Sequence, residues 1–539
     1  MTSPRVEIRT GAYHDSVTLM QVSRSVADVP GVLAAQVAMG TDLNLDVLRG
    51  MGFVVPDGTG PADLIVAVRA EDDAAHDAAA AALAVALAPP RGAGSGGDGA
   101  TAVPHRTTGA AVRALGGADT GGGGTLALVS TPGAHAFVEA MDALVAGADV
   151  MVFSDNVPVA LEVRLKQEAA RRGRLVMGPD CGTAVVGGIG LGFANVVRPG
   201  PVGLVAASGT GAQQVMSLLD AAGVGVRHCL GVGGRDLSEA VGGLATLQAL
   251  ALLDADPGIE LIVVVSKPPA AGVEAAIRTA AARLATPVRF AVLGPGAPDL
   301  TAAAREVAEA VGATWRPLPS WPGSLSSPLS LSSPLSLSAD ATVGEPAVRL
   351  RGGFAGGTLC DEAMLIAAER LGPIASNIPL PGAPRLSADL RTVADGSSPA
   401  HVMVDFGDDD LTRGRPHPMI DGSLRADWLA REAATVGPGD AVVVLLDVVL
   451  GHAAHPDPAA DLAPAITTAR ATARTRGGQL AVVVSLCGTQ GDPQGLRRQA
   501  EALAAAGATV HLSNAEATRA ALALIPPPPR DHGVERQRL

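Results

Sequence analysis

Val202-Gly-Leu-Val-Ala-Ala-Ser208-Gly-Thr-Gly211, continuing as Ala212-Gln-Gln-Val-Met-Ser-Leu-Leu219, is the stretch on which the fold turns. A short apolar run, a corner of small residues and apolar positions at helical spacing predict a buried strand, a tight turn and a helix. The first N–H groups of such a helix lack intrahelical acceptors and point past the strand end. Together with the helix dipole they favour an anion by about 0.3–1 kcal/mol at exposed sites. Gly209 and Gly211 let backbone come close, and Ser208 and Thr210 add hydroxyls. An ordinary strand-to-helix turn is the competing reading of this stretch alone.

A second copy of the pattern lies at Val348-Arg-Leu-Arg-Gly-Gly-Phe-Ala-Gly-Gly357-Thr-Leu. Each copy is followed by a strand opening into a polar loop, Gly233-Gly-Arg-Asp-Leu-Ser238 in one and Gly407-Asp-Asp-Asp-Leu-Thr412 in the other. A further strand then follows in each, Leu261–Val265 and Ala441–Leu446. The repeated order predicts two related α/β domains. If they pack about a pseudo-twofold axis, two helix N-termini face one anion.

With 539 residues, about three or four domains are expected. The apolar fraction of 47% marks a globular chain, and aromatics at 2% argue against stacking platforms for bases. A net charge of −13 argues against broad nucleic-acid binding. Cys181, Cys229, Cys360 and Cys487 have neither metal spacing nor disulfide logic. The N-terminus does not read as a signal peptide, and no apolar stretch approaches the roughly 20 residues that span a bilayer. A cytoplasmic protein without nucleic-acid or membrane partners is the expectation.

Seven segments follow from the pattern. Residues 1–90 read as a small α/β unit and 91–124 as a Gly-rich linker. Residues 125–200 alternate strands and helices as a parallel, doubly wound sheet does. The first sister domain takes 201–320, a Ser/Leu/Pro hexapeptide repeat forms a linker at 321–345, the second sister takes 346–525, and 526–539 is a tail. Ligands of such sheets bind beyond the carboxyl ends of the strands, where Ser154, Asn156 and Asp180 fall. His452, His455 and Asp457 have a loosely metal-like spacing, but a helix start before Pro456 explains them, and no metal site is expected.

Gly178-Pro-Asp-Cys-Gly-Thr183, the glycine corner ending at Gly211 and Gly231-Val-Gly-Gly-Arg-Asp236 resemble the α subunit of succinyl-CoA synthetase. Residues 346–525 resemble the CoA-ligase domain of its β subunit. The fusion resembles the FdrA family, through Phe153-Ser-Asp-Asn-Val157, Val265-Ser-Lys-Pro-Pro269, Gly414-Arg-Pro-His-Pro-Met-Ile-Asp421 and Leu446-Asp-Val-Val449. The resemblance implies a Rossmann-like CoA-binding-type domain at 125–200, followed by two flavodoxin-like domains. The synthetase carries a phosphohistidine after the strand matching Arg289–Leu293, yet no histidine lies between His228 and His401. Ser266 and Lys267 stand where it has a glutamate, and no room is left for its nucleotide-binding domain. Acyl-CoA synthesis would therefore need a nucleotide domain in trans, and a non-catalytic scaffold is a third reading.

The FdrA resemblance implies carbamoyl transfer between carbamoyl phosphate and oxamate in allantoin breakdown, with companion subunits in an oligomer. No cofactor is required for that transfer, and CoA remains the candidate ligand of the 125–200 domain. Ser208, Gly209, Thr210 and Gly211 would hold phosphate from one side, and Gly356, Gly357 and Thr358 from the other. Lys267, Arg235, Arg415 and His417 are the candidate catalytic residues. Arg413 is a candidate grip for the oxamate carboxylate. Asp236 joins Ser154, Asn156 and Asp180 as a substrate-side candidate, orienting an arginine or capping a helix. Positioned amides and cations supply such catalysis through preorganised electrostatics, without a covalent intermediate.

Overall fold

The computed structural model describes residues 4–88, 105–116, 124–323 and 348–526, apart from positions 13, 15 and 414. The hexapeptide repeat, most of the Gly-rich stretch and the tail beyond Pro526 lie outside the described residues. The chain is an α/β protein, and it divides into two compact units.

The first unit begins with β1 (Arg5–Thr10), α1 (Ser16–Ala27), β2 (Val32–Met39), α2 (Asp42–Gly50), β3 (Asp63–Ala70) and α3 (Asp73–Ala86). The strands pair antiparallel in the order β1-β3-β2. Alternation along β3 decides its two faces. Leu64, Val66 and Val68 pack with Leu19, Val26 and Leu83, while Ile65 and Ala67 pack with Leu45, Leu48 and Phe53.

Within the expected 91–124 linker the chain forms a helix, α4 (Thr108–Gly116). The flanking glycines hid it. The Thr107 hydroxyl caps it by accepting from the Ala110 N–H at 3.1 Å, and Val112 is buried in the adjoining core. Then come β4 (Leu126–Val129), α5 (Gly133–Val145), β5 (Asp149–Val152), α6 (Val159–Arg172) and β6 (Val176–Met177). These strands form a parallel sheet in the order β4-β5-β6.

The second unit holds both glycine corners. Around its first sheet the chain runs β7 (Thr183–Val186), β8 (Ile189–Gly192), β9 (Val202–Ala206), α7 (Gly209–Ala221), β10 (Val226–Gly231), α8 (Leu244–Asp254, of which residues 244–248 group with the first unit), β11 (Leu261–Ser266), α9 (Ala271–Ala281), β12 (Val288–Val292) and α10 (Leu300–Ala310). The second is built from β13 (Ser320–Trp321), β14 (Val348–Phe354), α11 (Gly357–Leu371), β15 (Ala375–Ser376), β16 (Val402–Asp405), α12 (Asp409–Thr412), α13 (Ser423–Ala434), β17 (Ala441–Val449), α14 (Pro458–Thr475), β18 (Gln479–Cys487), α15 (Leu496–Ala505), β19 (Ala508–His511) and α16 (Asn514–Ala523).

The sheets run β12-β11-β9-β10-β7-β8 and β13-β19-β18-β17-β14-β16-β15. Matching each glycine corner's strand shows the sister relation. The orders β12-β11-β9-β10 and β18-β17-β14-β16 are the same, and all of those neighbours pair parallel. This is the flavodoxin-like order, whose switch point lies between the first and third strands. The β7–β8 hairpin adds antiparallel to β10, so the first sheet reaches back before the expected boundary at 200.

One apolar cluster joins the two sheets. It holds Leu204, Met216, Leu219 and Val307 from one sister and Phe354, Leu359, Met364 and Leu522 from the other. No helix among the described residues is long and apolar enough to cross a membrane.

Candidate functional site

Each corner forms because a buried parallel strand must hand its chain to a helix lying on the sheet. At the first, Ser208 is the N-cap of α7, and its hydroxyl accepts from the Gly211 N–H at 3.0 Å. The Gly209 and Thr210 N–H groups have no intrahelical acceptor. At the second, Gly356 is the N-cap of α11 and offers no side chain.

The two corners meet. The Ser208 and Thr358 hydroxyls share a hydrogen bond at 2.6 Å. A Cβ on Gly356 would stand 2.8 Å from the Thr210 side chain, and one on Gly211 would stand 3.0 Å from the Thr358 methyl. Only glycine allows this approach.

The second corner carries an anion of its own. Asp447, near the end of β17, accepts from the Ala355 N–H at 2.6 Å and the Gly356 N–H at 2.9 Å. Arg425 on α13 holds the same carboxylate at 2.9 Å, and both side chains are buried. Gly356 is therefore not a free donor for phosphate, contrary to the expectation from its place in the turn. Gly357 and Thr358 supply the next N–H groups of the helix start, Gly357 half-buried and Thr358 buried.

Lys267, in the loop after β11, is half-exposed and bonds the Asp361 carboxylate at 2.7 Å. Loss of solvent would lower its pKa, but Asp361 and then Asp405 outweigh that, so the ammonium stays charged. Burial pushes the Asp405 carboxyl up to about 7. Burial, aided by Arg425, draws His417 down to about 4. Its Nδ1 accepts from the Met419 N–H at 3.2 Å. His417 is thus neutral near pH 7, which removes the expected cationic role and leaves it a hydrogen-bonding one.

The loop after β10 carries Arg235, half-buried, and Asp236, fully buried. It is tied to the loop after β11 by the Ala270 N–H donating to the Leu237 carbonyl at 3.0 Å. Ser154, Asn156 and Asp180 sit in the first unit at the ends of β5 and β6. There the Asp180 N–H donates to the Ser154 carbonyl at 2.9 Å, and Asn156 and Asp180 take positive φ of 53° and 59°. Arg413 and Arg415 are exposed and also belong to the first unit. The structure therefore gathers Ser208, Gly209, Thr210, Gly211, Gly356, Gly357, Thr358 and Lys267 at the paired corners. It adds Asp405, Asp361, Asp447 and Arg425, which sequence reasoning did not name as site residues. A charged residue inside the apolar run Ala441–Val449 was the available signal for Asp447.

Asp457 serves as the N-cap of α14, with Pro458 opening the helix, and the His455 Nδ1 accepts from the Asp457 N–H at 2.9 Å. Among the described residues no group of three His, Cys, Asp or Glu is placed to hold a metal.

Residues 354–524 match the CoA-ligase family, and residues 1–103 match the heavy metal-associated domain of AllF. No cysteine falls within that N-terminal match. The uncharacterized protein YahF of Escherichia coli K12 is 34% identical over 519 residues, covering 94% of this chain and 95% of its own. The chain belongs to the YahF family. A more distant similarity links this YahF relative to the succinate–CoA ligase (ADP-forming) α subunit of Methanothermobacter thermautotrophicus. The two are 30% identical over 121 residues, 22% of this chain and 40% of that subunit. Among solved structures, the dinucleotide-forming acetyl-coenzyme A synthetase 1 of Ca. Korarchaeum cryptofilum, in complex with phosphate and ADP, is 18% identical. It covers 74% of this chain and 82% of its own, with a TM-score of 0.27.

Proposed function

We propose that the chain is a component of a carbamoyltransferase that exchanges a carbamoyl group between carbamoyl phosphate and oxamate in allantoin breakdown, working with companion subunits. The observation that supports this reading is the 2.6 Å contact between Ser208 and Thr358, which brings two helix starts together. Helix amides at Gly209, Thr210, Gly357 and Thr358, with the charged Lys267 beside them, hold phosphate without a covalent intermediate. Transfer then forms the bond from the oxamate nitrogen to the carbamoyl carbon. The carbon–oxygen bond to phosphate breaks, and phosphate leaves with the electron pair and takes up the proton that the oxamate nitrogen gives up. The AllF-type match at residues 1–103 agrees with an allantoin role.

The CoA-ligase match over residues 354–524 favours a second reading, acyl-CoA synthesis with a nucleotide domain in trans. Two assays separate them. Carbamoyl transfer predicts phosphate-dependent breakdown of oxalurate to oxamate and carbamoyl phosphate, with the chain alone or with its companion subunits. Replacing Ser208 and Thr358 together by Ala should lower that rate by about 10²-fold or more. Ligation predicts instead a phosphoprotein after incubation with labelled ATP. Absence of oxalurate breakdown in every mixture would sink the carbamoyl reading.

A further inference from the structure

Besides Asp447, the two corners differ in a further respect that the sister relation does not predict. The first presents hydroxyls and amides only, whereas the second has a carboxyl group pressed against its helix start. Asp405 ends β16 and is only 7% exposed. One oxygen, Oδ1, accepts from the Gly407 N–H at 2.9 Å. The other, Oδ2, accepts from no donor among the described residues and stands 2.6 Å from where a Cβ on Gly357 would be. The Lys267 Nζ is 3.6 Å from that same point, so an acid and an ammonium flank the first residue of α11.

We propose that Asp405 is a further ligand of the site and meets an incoming oxyanion as the neutral acid, donating its O–H through Oδ2, so that above neutral pH a proton enters with the anion. This rests on the reading of the paired corners as an anion site. A carboxylate beside a doubly charged oxyanion repels it, whereas a carboxylic acid supplies a donor.

The surroundings favour the acid. Asp447 on β17 and Asp408 on the same loop add negative charge, against the pull of the Gly407 N–H and Lys267. On α11, Asp361 is engaged by Lys267, and burial keeps the Cys360 thiol protonated. The His417 Nε2 approaches Gly407 from the other side, 2.9 Å from its Cβ position, and is neutral. Arg425 is committed to Asp447. Burial raises Asp405 into the neutral range, so protonation is accessible at ordinary pH, and an adjacent anion raises it further.

Sulfate is the suitable probe, because it stays a dianion between pH 6 and 8.5. Calorimetric titration of the full chain with sulfate, in two buffers of different ionisation enthalpy, counts the protons taken up. At pH 8.5, where the carboxyl is ionised before sulfate arrives, uptake approaching one proton per sulfate is expected; near pH 6, where it already holds its proton, uptake falls toward zero, and affinity falls about tenfold per pH unit above the neutral range. Asp405→Asn should bind sulfate with no proton uptake and no pH slope. Sulfate binding at pH 8.5 without proton uptake by the wild-type chain, or a slope that survives in Asp405→Asn, overturns the assignment and leaves the anion site standing. Should Asp405→Asn fail to fold, the wild-type proton count still decides. Absence of sulfate binding, or binding unaffected by replacing Ser208 and Thr358 with Ala, overturns the anion site and the assignment together.

Discussion

Asp447 shows how a single side chain shapes the candidate site. Its carboxylate answers two backbone N–H groups and one guanidinium in a strand that is otherwise apolar. A buried charge costs dearly unless every lone pair is answered, and here the answer fixes the second corner in place. The same burial acts on groups without full compensation. Glu362, on α11, accepts from the Leu300 N–H at 2.7 Å and from the Asn514 amide at 2.7 Å, yet burial pushes it up to about 7, as it does Asp405. An acid raised in the folded chain contributes stability that is complete below its unfolded pKa and is lost as pH rises through the folded one. His401 and His417, both drawn to about 4, have the opposite sign, because the unfolded chain binds their protons first as pH falls below about 6.5. The two effects oppose each other between pH 4 and about 6.5, and only the acids remain above that. Urea unfolding at a series of pH values should therefore show stability declining from about pH 6.5 to 8. Glu362→Gln should flatten that decline, and a profile rising over the range would contradict the sign.

Strand, corner and helix form the next level, and there the contact between Gly356 and Thr210 is the informative one. Gly356→Ala drives a methyl into the Thr210 side chain, and overpacking of this kind typically costs about 1–3 kcal/mol. Removing the obstacle with Thr210→Gly should restore part of that loss, so a double-mutant cycle should give a favourable coupling of about 0.5 kcal/mol or more. Purely additive losses would mean that the corners do not touch in solution. Much of this level was legible beforehand. Small residues between an apolar run and a helical period announce a strand-to-helix corner, and doing so twice announced the sister sheets. What stayed hidden was pairing across distance. Asp447 finds Arg425 22 residues away and the Gly356 N–H 91 residues away, and no periodicity records such a match. The helix α4 was missed for another reason: Thr107 and Val112 carry its signal, but glycine-rich flanks dominate the composition around them. The neutral state of His417 follows from its neighbours in space, so the cationic role expected from its motif had no counterweight in the sequence.

Across the second compact unit, one apolar core serves both sister sheets, so they should not unfold separately. Trp315, Trp321 and Trp428 all lie in this unit, and they are the protein's three tryptophans. Trp428 packs in the second sheet's own core, while Trp315 packs against the shared one. Fluorescence-monitored unfolding of Trp428→Phe and Trp315→Phe variants should therefore give the same cooperativity, with a single transition in each. Two resolved midpoints would show that the sisters are independent after all. The shared core also bears on what happens in thin solution. Where two halves of a site ride on separate molecules, scarcity pulls them apart; joined within one polypeptide, they stay at high effective concentration however few copies a cell makes. The partnership of Ser208 with Thr358 is for that reason immune to dilution.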